Sequence, residues 1–282
     1  MNLINDHEPL QAQDYEEPRC LLNMNNGLKN VPERSVPLGR IVQKLDEYLA
    51  RDDWAGAERH LNYWLADAEA CRDRKGVLAI EGERMGLFRK RGREADAMKA
   101  VEHALALIRE LSMEDSLTAA TTYVNIATVY KTFGRADQGL PYFEKARPIY
   151  EAALRPDDAR LGGLYNNTAL ALADLGRYEE AEAYYRKALS VMDQVPGGEA
   201  EQAITKLNLA DLKAAHFGYE AAEEEIQSLL DEARTLLDTP SLPRNGYYAF
   251  VLTSCAPTFR LYGRFADADE LEETAQAIYR NV

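Results

Sequence analysis

Apolar and small residues recur at intervals of three and four along most of this chain, with charged residues filling the gaps. Tyr178, Ala181, Tyr185 and Ala188 are separated by Glu179, Glu180, Arg186 and Lys187. That spacing keeps one face of an α-helix apolar and the other wet. The helical pattern itself repeats. Asn125-Ile-Ala127-Thr-Val-Tyr130 with Gly134 returns as Asn167-Thr-Ala169-Leu-Ala-Leu172 with Gly176, and less cleanly as Asn208-Leu-Ala210 with Gly218, at intervals of 42 and 41 residues. Eleven, fourteen, eighteen and twenty-one residues beyond these three anchors stand Ala136, Gly139, Phe143 and Ala146; Tyr178, Ala181, Tyr185 and Ala188; and Tyr219, Ala222, Ile226 and Leu229. Small residues at such spacings let two helices approach closely while large ones fill the space between pairs. The same comb extends outward from Glu83 (Ala97, Val101, Ala104), from Gln43 (Trp54, Ala57, Leu61, Trp64) and from Ser254 (Phe265, Ala268, Ala275), where Glu272 is a poor match. Six copies cover roughly residues 37 to 282.

A fixed period of this size marks a stacked-repeat protein, in which one unit cannot bury its apolar face alone and the stack supplies the core. The fourth copy, Leu164-Tyr-Asn-Asn167-Thr-Ala-Leu-Ala-Leu-Ala-Asp-Leu-Gly176-Arg-Tyr178-Glu-Glu-Ala181-Glu-Ala-Tyr-Tyr185-Arg-Lys-Ala188-Leu, resembles the tetratricopeptide repeat. That family's usual unit is about 34 residues. The extra length here corresponds to about one more turn on each of two helices at ~3.6 residues per turn. Long units of this kind are similar to those of kinesin light chain and of bacterial peptide-sensing regulators. The resemblance implies an all-α fold: about twelve antiparallel helices, six hairpins, wound into a right-handed superhelical solenoid with a concave groove.

Residues 1–36 do not fit the comb and are expected to be an irregular N-terminal leader, ahead of a six-repeat domain over 37–282. The leader holds Pro9, Pro18, Pro32 and the patch Asn23-Met-Asn25-Asn26-Gly27, a composition that resists a packed helix. Either it is disordered, or it lies along the array, capping its end through Leu21, Leu22 and Met24 or occupying its groove. These residues are too few and too proline-rich for a DNA-binding helix-turn-helix. A second irregular stretch, Asp238-Thr-Pro240-Ser-Leu-Pro243-Arg-Asn-Gly246, accounts for the longer interval before Ser254.

Charge narrows the partner class. A net charge of −14 argues against nucleic acid, whose phosphates call for clustered Lys and Arg. No apolar run reaches the ~18 residues of a membrane span, and Met1-Asn-Leu-Ile-Asn-Asp-His7 is not a secretory signal. Neither membrane association nor export is expected. Cys20, Cys71 and Cys255 are widely spaced, without a CxxC pair, and read as reduced thiols of a cytoplasmic protein.

Catalysis needs convergent titratable groups. His7, His60, His103 and His216 fall at unrelated repeat positions, so no metal or acid-base set can be built from them. Acid runs such as Glu179-Glu180 and Glu223-Glu224-Glu225 stand where second helices begin, where the helix dipole favours them. Phosphate-binding glycine loops and a Gly-x-Ser-x-Gly elbow are absent. No enzyme activity, cofactor, metal or small-molecule substrate is expected.

The anchors are the polar positions of interest. Asn inside a helix costs up to about 0.7 kcal/mol relative to Ala, yet three copies place one at the same point. The family resemblance implies that this position faces the groove. An Asn side chain offers both a donor and an acceptor, so Asn125, Asn167 and Asn208 are expected to hold the backbone of a bound peptide or protein segment; the alternative is that they brace neighbouring helices. Asn166, Gln43, Glu83 and Ser254 join them by position. Arg89, Lys90, Lys131 and Arg260, six or seven residues beyond an anchor, are candidates to clamp a ligand carboxylate, or else complement helix C-termini. The two-carboxylate clamp of chaperone-binding relatives uses a Lys where this chain has Thr121, Gly163 and Ile204, which speaks against that partner class. Rival readings are an adaptor whose groove is filled by its own leader and an enzyme accessory subunit docking through its convex face.

Overall fold

The computed structural model describes residues 32–281; nearly all of the expected leader, with Cys20, Leu21, Leu22 and Met24, lies outside them. Among the described residues the elements are twelve α-helices: α1 (Leu38–Ala50), α2 (Trp54–Ala70), α3 (Arg74–Lys90), α4 (Glu94–Glu110), α5 (Leu117–Thr132), α6 (Ala136–Ala153), α7 (Ala159–Asp174), α8 (Tyr178–Met192), α9 (Glu199–Phe217), α10 (Tyr219–Leu237), α11 (Gly246–Leu261) and α12 (Phe265–Asn281). The expected all-α repeat class is observed. Every anchor falls inside an odd-numbered helix, the first of its hairpin.

The turns inside hairpins repeat as strictly as the helices. Nine or ten residues past each anchor the backbone enters the left-handed region, at Gly92, Gly134, Gly176, Gly218 and Gly263. Glycine takes this conformation without Cβ strain. The first hairpin alone uses a side-chain-bearing residue there, Asp52 at φ 54°. After four of the glycines stands an arginine that pairs with a polar residue three further on: Arg93 with Asp96, Arg135 with Gln138, Arg177 with Glu180 and Arg264 with Asp267. Two of them also reach the preceding hairpin, Arg93 to Glu58 on α2 and Arg264 to Asp231 on α10, both at 2.6 Å. Such exposed pairs contribute little individually.

The chain forms two compact units, one ending at Phe133 and the other beginning at Gly134. In the first, α3 packs against α1 and α5 as well as α2 and α4; in the second, α9 packs against α7, α8, α10 and α11. First helices thus lie beside first helices in both. The comb positions form the core. Ala57, Ala97, Ala181 and Ala268 are fully buried, as are Leu61, Val101 and Ile226, while Phe143 and Tyr185 are nearly so. Tyr178 reaches into the next hairpin, its ring 4.9 Å from that of His216 on α9. Glu272, the poor match, is half-buried and paired with Arg260 at 3.1 Å.

Helix starts are chosen locally. Asp53, Asp73, Ser116, Asp158 and Asn245 each accept a bond from a backbone N–H of the turn they precede, which satisfies donors the helix cannot. Asp73 also accepts from Val36 N–H at 2.9 Å, Arg34 grips Asp67 through two 2.6 Å bonds, and Glu33 N–H reaches Cys71 carbonyl at 3.0 Å. Residues 33–36, read from the sequence as leader, are therefore stitched across the α2–α3 turn.

Candidate functional site

On each first helix the positions seven and four before the anchor, the anchor, and three and seven after it fall within an arc of about 80°, at 3.6 residues per turn. In α5, α7, α9 and α11 all of these positions are exposed or half-buried. The opposite face is core. These four first helices thus each keep one accessible strip centred on the anchor, and within the second unit the strips of α7, α9 and α11 lie on neighbouring helices.

The strip on α5 is Thr118, Thr121, Asn125, Thr128 and Thr132. Three of its threonine hydroxyls are tied to the carbonyls four residues back: Thr121 to Leu117 at 3.2 Å, Thr128 to Val124 at 2.8 Å and Thr132 to Thr128 at 2.9 Å. Asn125 is exposed and makes no hydrogen bond among the described residues; its amide lies over Gly82 of α3, where an added Cβ would sit 3.7 Å from Asn125 Nδ2.

In the other unit the anchors are oriented by protein partners. Asn167 Nδ2 donates to the Gly163 carbonyl at 2.9 Å, within α7, and Asn208 Nδ2 on α9 donates to Asn166 Oδ1 on α7 at 3.0 Å. An amide has two N–H donors and an oxygen with two lone pairs. Each of these bonds uses one donor and leaves the other N–H, with the Asn167 and Asn208 carbonyl oxygens, without a partner among the described residues. Bracing and ligand contact are compatible at these positions. Ser254, the anchor on α11, donates to Phe250 carbonyl at 2.8 Å and is exposed.

The charged candidates differ in setting. Arg260 is held by Asp269 at 2.8 Å and Glu272 at 3.1 Å, both on α12, so its charge is already matched. Arg89 is half-buried without an ion pair among the described residues, and burial pushes its pKa down. Glu83 is half-buried; burial and then the Asp46 charge push its carboxyl pKa up, against the pull of Lys90. Lys90 is exposed at the end of α3, Lys131 is half-buried in the last turn of α5, and Gln43 is exposed on α1.

Five strip residues went unread in the sequence. On α11 Tyr247, Phe250 and Leu261 are 52%, 52% and 70% exposed, at positions that are threonines on α5. Beside them on α9, Glu201 and Asp211 receive hydroxyl bonds from Tyr247 and Tyr262, the latter at 2.8 Å. Burial pushes both carboxyl pKa values up. Measuring offsets backward as well as forward from Ser254 would have exposed this apolar face. A buried cation was also missed: Lys213 lies between Glu182 and Glu225, 3.0 Å from each. Among the described residues no group of His, Cys, Asp and Glu is disposed to hold a metal ion, and no helix is long and apolar enough to cross a membrane.

Helix hairpins of about 42 residues, with left-handed glycine turns and first helices packed on first helices, define a helical repeat protein. The tetratricopeptide repeat model matches residues 82–152 and 160–231, about half of the chain, and the chain belongs to that family. It is 25% identical over 191 residues to Protein KINESIN LIGHT CHAIN-RELATED 2 of Arabidopsis thaliana, a match covering 66% of this chain and 28% of that protein. The chain thus spans less than a third of that relative's length. Among solved structures, the nearly identical repeats of a protein described as a kinesin light chain from Podosopora anserina align with TM-score 0.51 at 16% identity, covering 72% of this chain and 95% of that one. A Rap protein complexed with Competence and Sporulation Factor aligns with TM-score 0.52 at 13% identity, covering 86% and 75%. At these identities the likeness is one of fold.

Proposed function

We propose that this chain is a non-catalytic recognition module that binds a peptide or protein segment along the strips of its first helices, the face that the family resemblance implies is concave. One observation carries the reading: on α5, α7, α9 and α11 the whole anchor strip stays accessible while the face opposite it is mostly core, with Asn125 uncommitted and Asn167 and Asn208 oriented by Gly163 and Asn166. Gln43, Glu83 and Ser254 occupy the same register on the remaining first helices. An amide presenting one donor and one acceptor matches a ligand peptide unit whatever its side chain, so the anchors supply affinity and their neighbours supply selectivity. A relative in fold was solved with a bound factor, which is in keeping with a binding role.

The test is affinity capture of a partner from native lysate, followed by calorimetric titration of that partner with wild type, Asn125→Ala and Asn167→Ala. Each lost neutral hydrogen bond is worth roughly 0.5 to 1.5 kcal/mol net, so each variant should bind about two- to tenfold more weakly with an unchanged helical spectrum. Unchanged affinity in both would move binding to another face, as in the reading of a subunit that docks through its convex face.

A further inference from the structure

Building on the reading of the anchor strips as a ligand face, we propose that α9 and α11 form a subsite for an extended segment that carries an apolar or aromatic side chain beside a lysine or arginine. A lone exposed apolar residue is ordinary, but a contiguous apolar patch on a folded surface marks an interaction site. Tyr247, Phe250, Pro257 and Leu261 occupy one exposed arc of α11, and half-buried Ile204 lies in the equivalent arc of α9. The corresponding positions of α7 are Arg160, Gly163, Leu170 and Asp174, so the apolar character belongs to this hairpin and is no requirement of the repeat.

The basic residue is called for by the carboxylates that frame the patch. Tyr247 bonds Glu201 at one end of the α9–α11 seam and Tyr262 bonds Asp211 at the other; ten residues of helix put the two acids about 15 Å apart. Several basic residues of this unit are already matched to acids: Arg234 to Asp238 and Glu270, Arg260 to Asp269 and Glu272, Lys206 to Glu232. Glu201 and Asp211 have no cation within ion-pair distance among the described residues. A carboxylate offers about four acceptor positions, so a single tyrosine hydroxyl leaves each with room for an ammonium or guanidinium. The exposed faces of Tyr247 and Phe250 also attract a cation. With a net charge of −14, the chain repels acidic segments and a second copy of itself and draws basic ones by long-range steering.

A random twelve-residue peptide library displayed on phage, selected against the full chain, tests this. The recovered sequences should be enriched in an apolar or aromatic residue near Lys or Arg. A synthetic peptide taken from the pool should bind Phe250→Ser at least about fivefold more weakly, as for loss of a contact of more than 1 kcal/mol. It should also bind the Glu201→Gln, Asp211→Asn double variant more weakly, the deficit shrinking as salt rises. An acidic or unbiased pool overturns the proposal. So does a solution dimer that dissociates in Phe250→Ser, which would seat a second copy on this face. Peptides that lose affinity in Asn167→Ala or Asn208→Ala but not in the α9 and α11 variants would leave the strip reading standing and remove this one. Failure to recover any binder, or binding indifferent to both sets, removes both.

Discussion

Helix α5 and the α9–α11 pair share one skeleton and present opposite surfaces. Behind both strips the helices bury small residues at equivalent positions, Ala120 and Ala127 on α5 against Ala203 and Ala210 on α9. In front, α5 shows Thr118, Thr121, Asn125, Thr128 and Thr132, all polar and uncharged, whereas α9 and α11 show Glu201, Ile204 and Asp211 beside Tyr247, Phe250 and Leu261. The buried face is constrained by packing that resists changes of even one methylene, and it repeats. The strip is free of that constraint, and it diverges. What repeats in this chain builds the fold; what fails to repeat, at positions held in register by the fold, is where its selectivity resides.

The sharpest way to break that division is to truncate one large side chain from each class. Phe143→Ala, removing a ring that is almost wholly buried, should cost about 3 to 5 kcal/mol, seen as a fall in the urea midpoint. Phe250→Ala, from the exposed strip, should stay within about 0.5 kcal/mol of wild type as surface changes do. Comparable losses would mean that the α11 face is part of the core.

Overpacking gives the next largest effect. Ala181→Leu, at a fully buried comb position, should cost about 1 to 3 kcal/mol, while Ala215→Leu on the exposed end of the α9 strip should leave the thermal midpoint unchanged within about 0.5 kcal/mol. A thermal midpoint for Ala181→Leu equal to that of wild type would show that this position does not separate two close helices.

The core half of the comparison was legible in the sequence because packing writes a period. Ala57, Ala97, Ala181 and Ala268 stand at one offset from their anchors, and so do the turn residues Gly92, Gly134, Gly176 and Gly263. The strip was legible only at its centre, where Asn recurs. Tyr247 and Phe250 sit at offsets whose residues change from copy to copy, so no repetition points to them, and within α11 they read as further apolar helix residues. The Asn208–Asn166 bond and the Tyr262–Asp211 bond join residues 42 and 51 positions apart. Pairings across hairpins depend on the stacking angle, which one-dimensional spacing does not carry. The tie of residues 33–36 to the α2–α3 turn was hidden for a related reason: Arg34 and Val36 find their partners in a turn 30 to 40 residues away, with no local pattern to announce it.

The turn residues allow a smaller and finer comparison between the first hairpin and the others. Gly176→Ala forces a Cβ into the left-handed region at φ 71° and should cost about 1 to 2 kcal/mol. Asp52→Gly relieves the same strain in the one hairpin turn among the described residues that lacks glycine there, and should stabilise by less than about 1 kcal/mol, since Asp tolerates this region better than most residues. Denaturant midpoints that moved in the same direction for both would show that the turn conformation is not what places glycine there.

Proton linkage separates the two surfaces with the smallest effect and the clearest sign. The α5 strip contains no titratable side chain, whereas burial pushes the folded-state pKa values of Glu201 and Asp211 above the usual carboxylate range. For an acid shifted in this direction the folded state holds its proton longer. The contribution to stability is therefore fully present below the unfolded pKa values of about 3.9 and 4.3, and it is lost as pH rises through the folded values. The Glu201→Gln, Asp211→Asn variant keeps acceptors for Tyr247 and Tyr262 but escapes that loss. Its thermal midpoint should match wild type near pH 4 and exceed it at pH 7, while Asn125→Ala should differ from wild type by the same amount at both. A double variant less stable than wild type at pH 7 would mean that the two carboxylates stabilise the α9–α11 seam as anions. In that case they are structural partners of the tyrosines, with no unmatched charge left to recognise a basic ligand.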